Sequence, residues 1–85
     1  SNPSRIRILC ELVAGPITTS DLGERLDQPS AGQLFHHLKE LLATGLIYQP
    51  ERGTYAIRRE DVVPMLAALS CAIDLASPKT EGKRA

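Results

Sequence analysis

The stretch from Ser30 to Gly45, Ser-Ala-Gly-Gln-Leu-Phe-His-His-Leu-Lys-Glu-Leu-Leu-Ala-Thr-Gly, carries a helix start signal at one end and a stop signal at the other. Ser30 with Gln33 forms a capping box, in which the serine oxygen satisfies a free backbone N–H of the first turn. Gly45 suits the left-handed position that closes a helix. Between them Leu34, Leu38, Leu41 and Leu42 recur at helical spacing and form a stripe that must be buried, while Gln33, His36, Lys39, Glu40 and Ala43 face outward. The remainder of the chain must therefore supply a surface that covers one leucine stripe and leaves the opposite face open.

The segments on either side supply candidates for that surface. Downstream, Leu46-Ile-Tyr48 and Thr54-Tyr-Ala-Ile57 are rich in strand formers, with Pro50 and Gly53 marking the turn and Arg52 at its tip. Upstream, Asn2-Pro3 starts a first helix, since proline is tolerated at the first helical position. Ile6, Leu9, Cys10 and Val13 form its core stripe, Ile8 and Leu12 widen the apolar face, and Gly15-Pro16 ends it. Thr18 is an N-cap candidate with Asp21 three residues on, and Leu22 and Leu26 give a short second helix one inward edge. Ile17 is placed to form a one-residue bridge to the later hairpin, and Asp27-Gln-Pro-Ser30 is the turn between the second and third helices.

After Arg58-Arg59-Glu60, where the arginines are expected to pair locally with Glu60 or Asp61, Asp61 caps a last helix with Pro64 in its first turn. From Val62 to Ala76 Asp74 is the only charge. A helix apolar nearly all round needs cover on more than one side, which a chain of 85 residues cannot easily provide alone. A second copy of the chain is the economical cover. Residues 77–85 are polar and are expected to be a disordered tail.

The order of elements reads as mainly α with a small β-hairpin: a winged helix-turn-helix, with a three-helix core, a two-stranded wing and a C-terminal dimerisation helix, spanning residues 1–76. Charge argues the other way. Residues 1–76 hold seven Lys/Arg and nine Asp/Glu, a balance of −2, and the last nine residues restore neutrality with Lys79, Lys83 and Arg84 against Glu81. Nucleic-acid binders usually carry a basic surplus, because phosphate neutralisation supplies most of their affinity. The two cysteines, Cys10 and Cys71, are too far apart for a metal-ligand spacing or a disulfide framework and sit in apolar helical runs. No apolar run reaches the ~18 residues of a membrane span and no secretory signal opens the chain, so a cytoplasmic location is expected. The Ser-Asn start without Met suggests a cleavage scar and leaves open that the chain is part of a longer regulator.

On these residues the chain resembles the ArsR-like winged-helix transcriptional repressors. The resemblance is carried by Arg5-Ile-Arg-Ile-Leu9 in the opening helix, Ile17-Thr-Thr-Ser-Asp-Leu22 leading into the second, Gln33-Leu-Phe-His-His-Leu-Lys-Glu-Leu-Leu42 as a recognition helix, and Thr44-Gly-Leu-Ile47 as the step into the wing. It implies a homodimeric DNA-binding repressor. It departs from the metal-sensing members, which place cysteines where Thr18, Thr19 and Ser20 stand, and His and carboxylates on a last helix that here has no His. A further helix common before the first one is absent or cut away here. No metal site and no cofactor are therefore expected.

The resemblance and the outward face together nominate Ser30, Gly32, Gln33, Phe35, His36, Lys39 and Arg52 as DNA contacts. Gln33 can pair with adenine in a major groove or simply close the capping box. Ser30 can donate to a phosphate at a helix N-terminus, and Gly32 permits close backbone approach. Phe35 can rest on thymine methyl groups or pack between the second and third helices; packing is slightly favoured. His36 faces outward, whereas His37 lies beside the leucines, where a hydrogen-bonded structural histidine is expected; adjacent helical residues diverge too far to chelate one ion. Lys39 and Arg52 are phosphate or minor-groove contacts or solvated charges, with Glu40 and Glu51 beside them. Ile8, Leu12, Val62, Met65, Leu66, Leu69 and Ile73 are nominated for the dimer interface. No phosphate loop, nucleophile elbow or paired carboxylates appear, so no catalytic residue and no enzyme activity are expected.

The resulting expectation is a homodimeric repressor that reads half-sites of an inverted-repeat operator in double-stranded DNA about one helical turn apart. No effector ligand is assigned. The rival is a winged helix serving as a protein-interaction or dimerisation module without direct DNA readout, favoured by the −2 body and the apolar last helix.

Overall fold

Local signals place the helices. In the computed structural model, which describes residues 3–26 and 30–76, with side chains to Ser70, the chain runs α1 (Pro3–Leu12), β1 (Ile17–Thr18), α2 (Thr19–Leu26), α3 (Ala31–Thr44), β2 (Tyr48–Glu51), β3 (Thr54–Ala56) and α4 (Arg59–Ala76). Pro3 opens α1 with its preset φ. The Thr18 Oγ1 accepts from the Asp21 N–H at 3.1 Å, so Thr18 caps α2 as expected. The expected turn at residues 27–29 and the tail from residue 77 lie outside the described residues.

The core is aliphatic. Ile8 and Leu12 of α1, Leu22 of α2, Leu38 of α3 and Ile47 before β2 are the largest fully buried side chains, and Leu9, Leu26, Leu34, Leu41, Tyr55, Ile57 and Leu69 close around them. Each helix thus contributes its apolar stripe to one shared interior. Ile8 is 0% and Leu12 1% exposed, and Leu69 is 6% exposed. This corrects the expectation for these three residues. The breadth of the α1 face is consumed within the chain, because α2, α3 and α4 all pack on it, Leu69 from α4, and none of the three has surface left for a second copy.

The strands form one antiparallel sheet in the order β1-β3-β2. Ile17 pairs with Tyr55 and Thr18 with Thr54, so the expected one-residue bridge is a two-residue strand. The β2 strand begins at Tyr48, later than expected, and contains Pro50, which therefore does not mark the turn. The register shifts between Tyr48, opposite Ala56, and Glu51, opposite Thr54. Such a bulge on an edge strand accommodates a residue with no N–H to give the ladder. The turn is Arg52-Gly53, with Gly53 at φ 77°, a left-handed conformation open to glycine at little cost.

The α4 helix starts at Arg59, two residues before the expected cap, so Pro64 lies inside it rather than in the first turn. The proline removes one intrahelical hydrogen bond. Val62 and Met65 are half-buried against the core, Leu66 is 49% and Val63 74% exposed, and the Ile73 side chain lies beyond those described. Among the described residues no helix is long and apolar enough to cross a membrane.

Candidate nucleic-acid interface

Both ends of α3 are locked. At its start Ser30 is extended, at φ −148° and ψ 145°, and its Oγ accepts from the Gln33 N–H at 3.2 Å. At its end Gly45 takes the left-handed position, φ 82°, and its N–H bonds the Leu42 carbonyl at 3.1 Å. Thr44 reinforces that end, its hydroxyl donating to the Leu41 carbonyl at 2.7 Å and accepting from the Leu46 N–H at 3.3 Å. With Leu34, Leu38 and Leu41 buried, the outward face comprises Ala31, Gly32, Gln33, Phe35, His36, Lys39 and Glu40, all exposed.

Phe35 is the correction on this helix. Its ring does not pack between α2 and α3; it is 52% exposed. Its neighbours one turn earlier are Ala31 and Gly32, and a Cβ added at Gly32 would meet nothing within 4 Å.

His37 has the structural role expected of it. Its Nδ1 accepts from Arg5 Nε at 3.3 Å, a part-buried bond between α3 and α1. Burial lowers its pKa below the usual histidine value, and the Arg5 and His36 charges lower it further. The two histidine rings lie 5.7 Å apart and tilted by 55°. Among the described residues no three of His, Cys, Asp and Glu come together.

Three segments meet at the N-terminal end of α3. The carbonyl of Gly53, beside Arg52 at the hairpin tip, accepts from the Thr19 N–H at 2.9 Å and from the Thr19 hydroxyl at 3.2 Å. This ties the hairpin turn to the first residue of α2. Thr19 and Ser20 then line an open groove of about 350 Å³ with Ser30, Ala31 and Leu34 of the α3 start. The sequence marks Thr19 and Ser20 only as residues standing where metal-sensing proteins carry cysteines, and their place in the groove comes from the fold. Within the hairpin, the Gly53 N–H donates to Gln49 Oε1 at 3.3 Å, which holds the turn while Arg52 remains exposed.

Arg58 does not pair with Glu60 or Asp61. Its Nη1 donates to the Gly45 carbonyl at 3.0 Å and its guanidinium lies 5.0 Å from the centre of the Tyr48 ring. Arg58 thereby fastens the end of α3 to the start of the wing. Its own carbonyl accepts from the Asp61 N–H at 2.8 Å at the start of α4.

A short recognition-type helix with an open polar face, a preceding helix at its N-terminus and a tethered hairpin are now in place. Residues 1–49 match the model of a helix-turn-helix domain family. The chain belongs to that family. The matched stretch covers α1, β1, α2 and α3 and ends inside β2, so the hairpin turn and α4 lie beyond it. No curated protein matches the chain. A helix-turn-helix domain supports DNA as the partner and a DNA-binding regulator as the function. Within this domain Ser30, Gly32, Gln33, Phe35, His36 and Lys39 share one exposed surface of α3, and Arg52 is carried on the hairpin that Thr19 anchors to α2. The electrostatics of that surface are mixed. Glu24 lines the groove and Glu40 follows Lys39, so positive charge is not concentrated there.

Proposed function

We propose that this helix-turn-helix protein is an ArsR-like, homodimeric transcriptional repressor that reads an inverted-repeat operator without sensing metal. The observation that carries the reading is the convergence of the α3 start, the α2 start and the hairpin turn through Thr19 and Gly53. In such an arrangement the N-terminal half of α3 enters a major groove, and helix N-termini and the wing hold the phosphates on either side. Gln33 and His36 act as base readers. Ser30, Lys39 and Arg52 position the protein on the backbone, and Gly32 allows the close approach.

The dimer forms through α4. Among its described side chains, Val63 and Leu66 are the large apolar ones that α4 leaves exposed, and Val62 and Met65 border them. With Ile8, Leu12 and Leu69 consumed by the core, this narrower strip replaces the wider interface expected from the sequence. Thr18, Thr19 and Ser20 stand where metal-sensing relatives carry cysteines, and two of them already have structural roles, which supports regulation by something other than a metal ion.

Selection from sheared genomic DNA by the immobilised protein, followed by sequencing, tests the reading. Enrichment of an inverted repeat with half-sites about one helical turn apart is the expected result. Recovery no better than beads alone overturns it. Salt titration of the selected duplex then separates DNA readout, which weakens steeply as salt rises, from an apolar protein interface, which changes little.

A further inference from the structure

Phe35 is an unusual residue to leave on the open face of a DNA-reading helix. Burying a phenylalanine side chain stabilises a protein, so an aromatic ring half in water beside a buried leucine stripe is a surface that a partner can use. Its position defines that partner. Side chains on a helix lean towards its N-terminus, so the patch covered by Phe35 lies over the preceding turn, at Ala31 and Gly32. That is the end of α3 nearest the groove shared with Thr19 and Ser20, and Phe35 is 52% exposed. Lys39, one turn further on, is the outward side chain nearest Phe35, and the α3 helix contains no arginine.

In the major groove the one apolar group on a base edge is the C5-methyl of thymine. We infer that Phe35 is a specificity-determining residue that reads a thymine methyl group in each half-site. This rests on the DNA-binding reading above and deepens it. Phe35 thus adds one apolar thymine contact to the polar base contacts of each half-site.

The experiment uses the duplex recovered from genomic selection, resynthesised with single thymidines replaced by deoxyuridine, which removes only the methyl group. Affinity is measured by fluorescence anisotropy at fixed salt. At one thymidine per half-site the wild-type protein should lose about fourfold in affinity, the effect of one buried methyl group. Phe35→Ala should bind the thymidine and deoxyuridine duplexes alike, whereas Phe35→Leu should keep part of the difference. The exposed position allows both variants to fold, which circular dichroism checks. Uniform wild-type affinity across all deoxyuridine duplexes overturns the inference while leaving DNA binding intact. Discrimination that survives in Phe35→Ala assigns the methyl contact to another residue and also overturns it. A protein that selects no duplex overturns this inference and the DNA-binding reading together.

Discussion

Helices α3 and α4 are both rich in apolar residues, yet they dispose of them differently. The α3 helix concentrates its leucines on one side, buries Leu34, Leu38 and Leu41, and presents a mixed polar face to solvent. The α4 helix spreads its apolar residues around the axis. Among its described side chains Leu69 alone is buried, while Val63 and Leu66 remain in water. A narrow stripe can be satisfied within one small domain, whereas an apolar surface on all sides exceeds what three other helices and a small sheet can cover. The first helix is satisfied within a single chain; the second leaves Val63 and Leu66 exposed, the strip proposed above for dimerisation.

The sharpest way to break this comparison is to truncate one leucine on each helix. Leu38→Ala should cost ~2–5 kcal/mol, through lost burial and the cavity left in the centre of the core. Leu66→Ala at low protein concentration should cost well under half of that, since the side chain is already half exposed. Urea denaturation of both variants measures the contrast, and equal losses would remove it. The proposed pairing of α4 gives the next largest effect. Val63→Glu with Leu66→Glu should convert a dimer into a monomer in analytical ultracentrifugation, with little change in circular dichroism. A wild-type protein that sediments as a monomer at all concentrations would end the argument for a partner.

On α3 the outward face should show its role in binding and not in folding. Gln33→Ala should reduce discrimination at one base position by ~1–3 kcal/mol, and Arg52→Ala should weaken binding to all sequences alike. Binding arrays of operator variants distinguish these outcomes, and unchanged profiles for both would mean that a different face touches DNA.

His37 provides a smaller, pH-dependent effect. Its folded pKa lies below the ordinary histidine value, so near neutral pH both folded and unfolded chains hold it neutral and its bond from Arg5 is intact. As pH falls through the ordinary value of ~6.5 the unfolded chain takes up the proton first, and stability declines until the folded pKa is passed. Protonation also turns the acceptor Nδ1 into a donor that faces a guanidinium. Replacing His37 with Gln should flatten this part of the stability–pH curve, measured by thermal melts between pH 7.5 and 5 (on the order of a few degrees at most). The smallest effect is expected at Gly32, where alanine has free space and should add roughly 0.5 kcal/mol of stability. If the backbone there approaches DNA closely, the same change should lower operator affinity.

Much of the fold was legible because its signals are local. The Ser30 cap, the Thr18 cap and the Gly45 stop each depend on residues within a few positions, and all three stand as the pattern predicts. The hairpin was recognised, but its register was not. Pro50 looked like a turn residue because a proline cannot donate to a ladder; on an edge strand with a bulge that N–H is not needed. The start of α4 was misjudged because Asp61 is a good cap by composition, whereas Arg58 is drawn away to the carbonyl of Gly45, and the helix begins immediately after it.

Periodicity and capping by themselves determined that α3 exists, where it begins and ends, and which leucines it buries. They could not rank the two residues on the flanks of that stripe. Phe35 and His37 lie on opposite sides of it, each less than about a third of a turn from its centre. By hydrophobicity Phe35 is the one that should be covered. Tertiary structure decided the reverse: α1 passes over the His37 flank and supplies Arg5 as a hydrogen-bond donor, while Phe35 stays 52% exposed beside Gly32. Which face of a helix is buried follows from its own sequence, since the repeat is built into the backbone. Which edge of that face is covered depends on where a distant segment packs, and no local pattern encodes that.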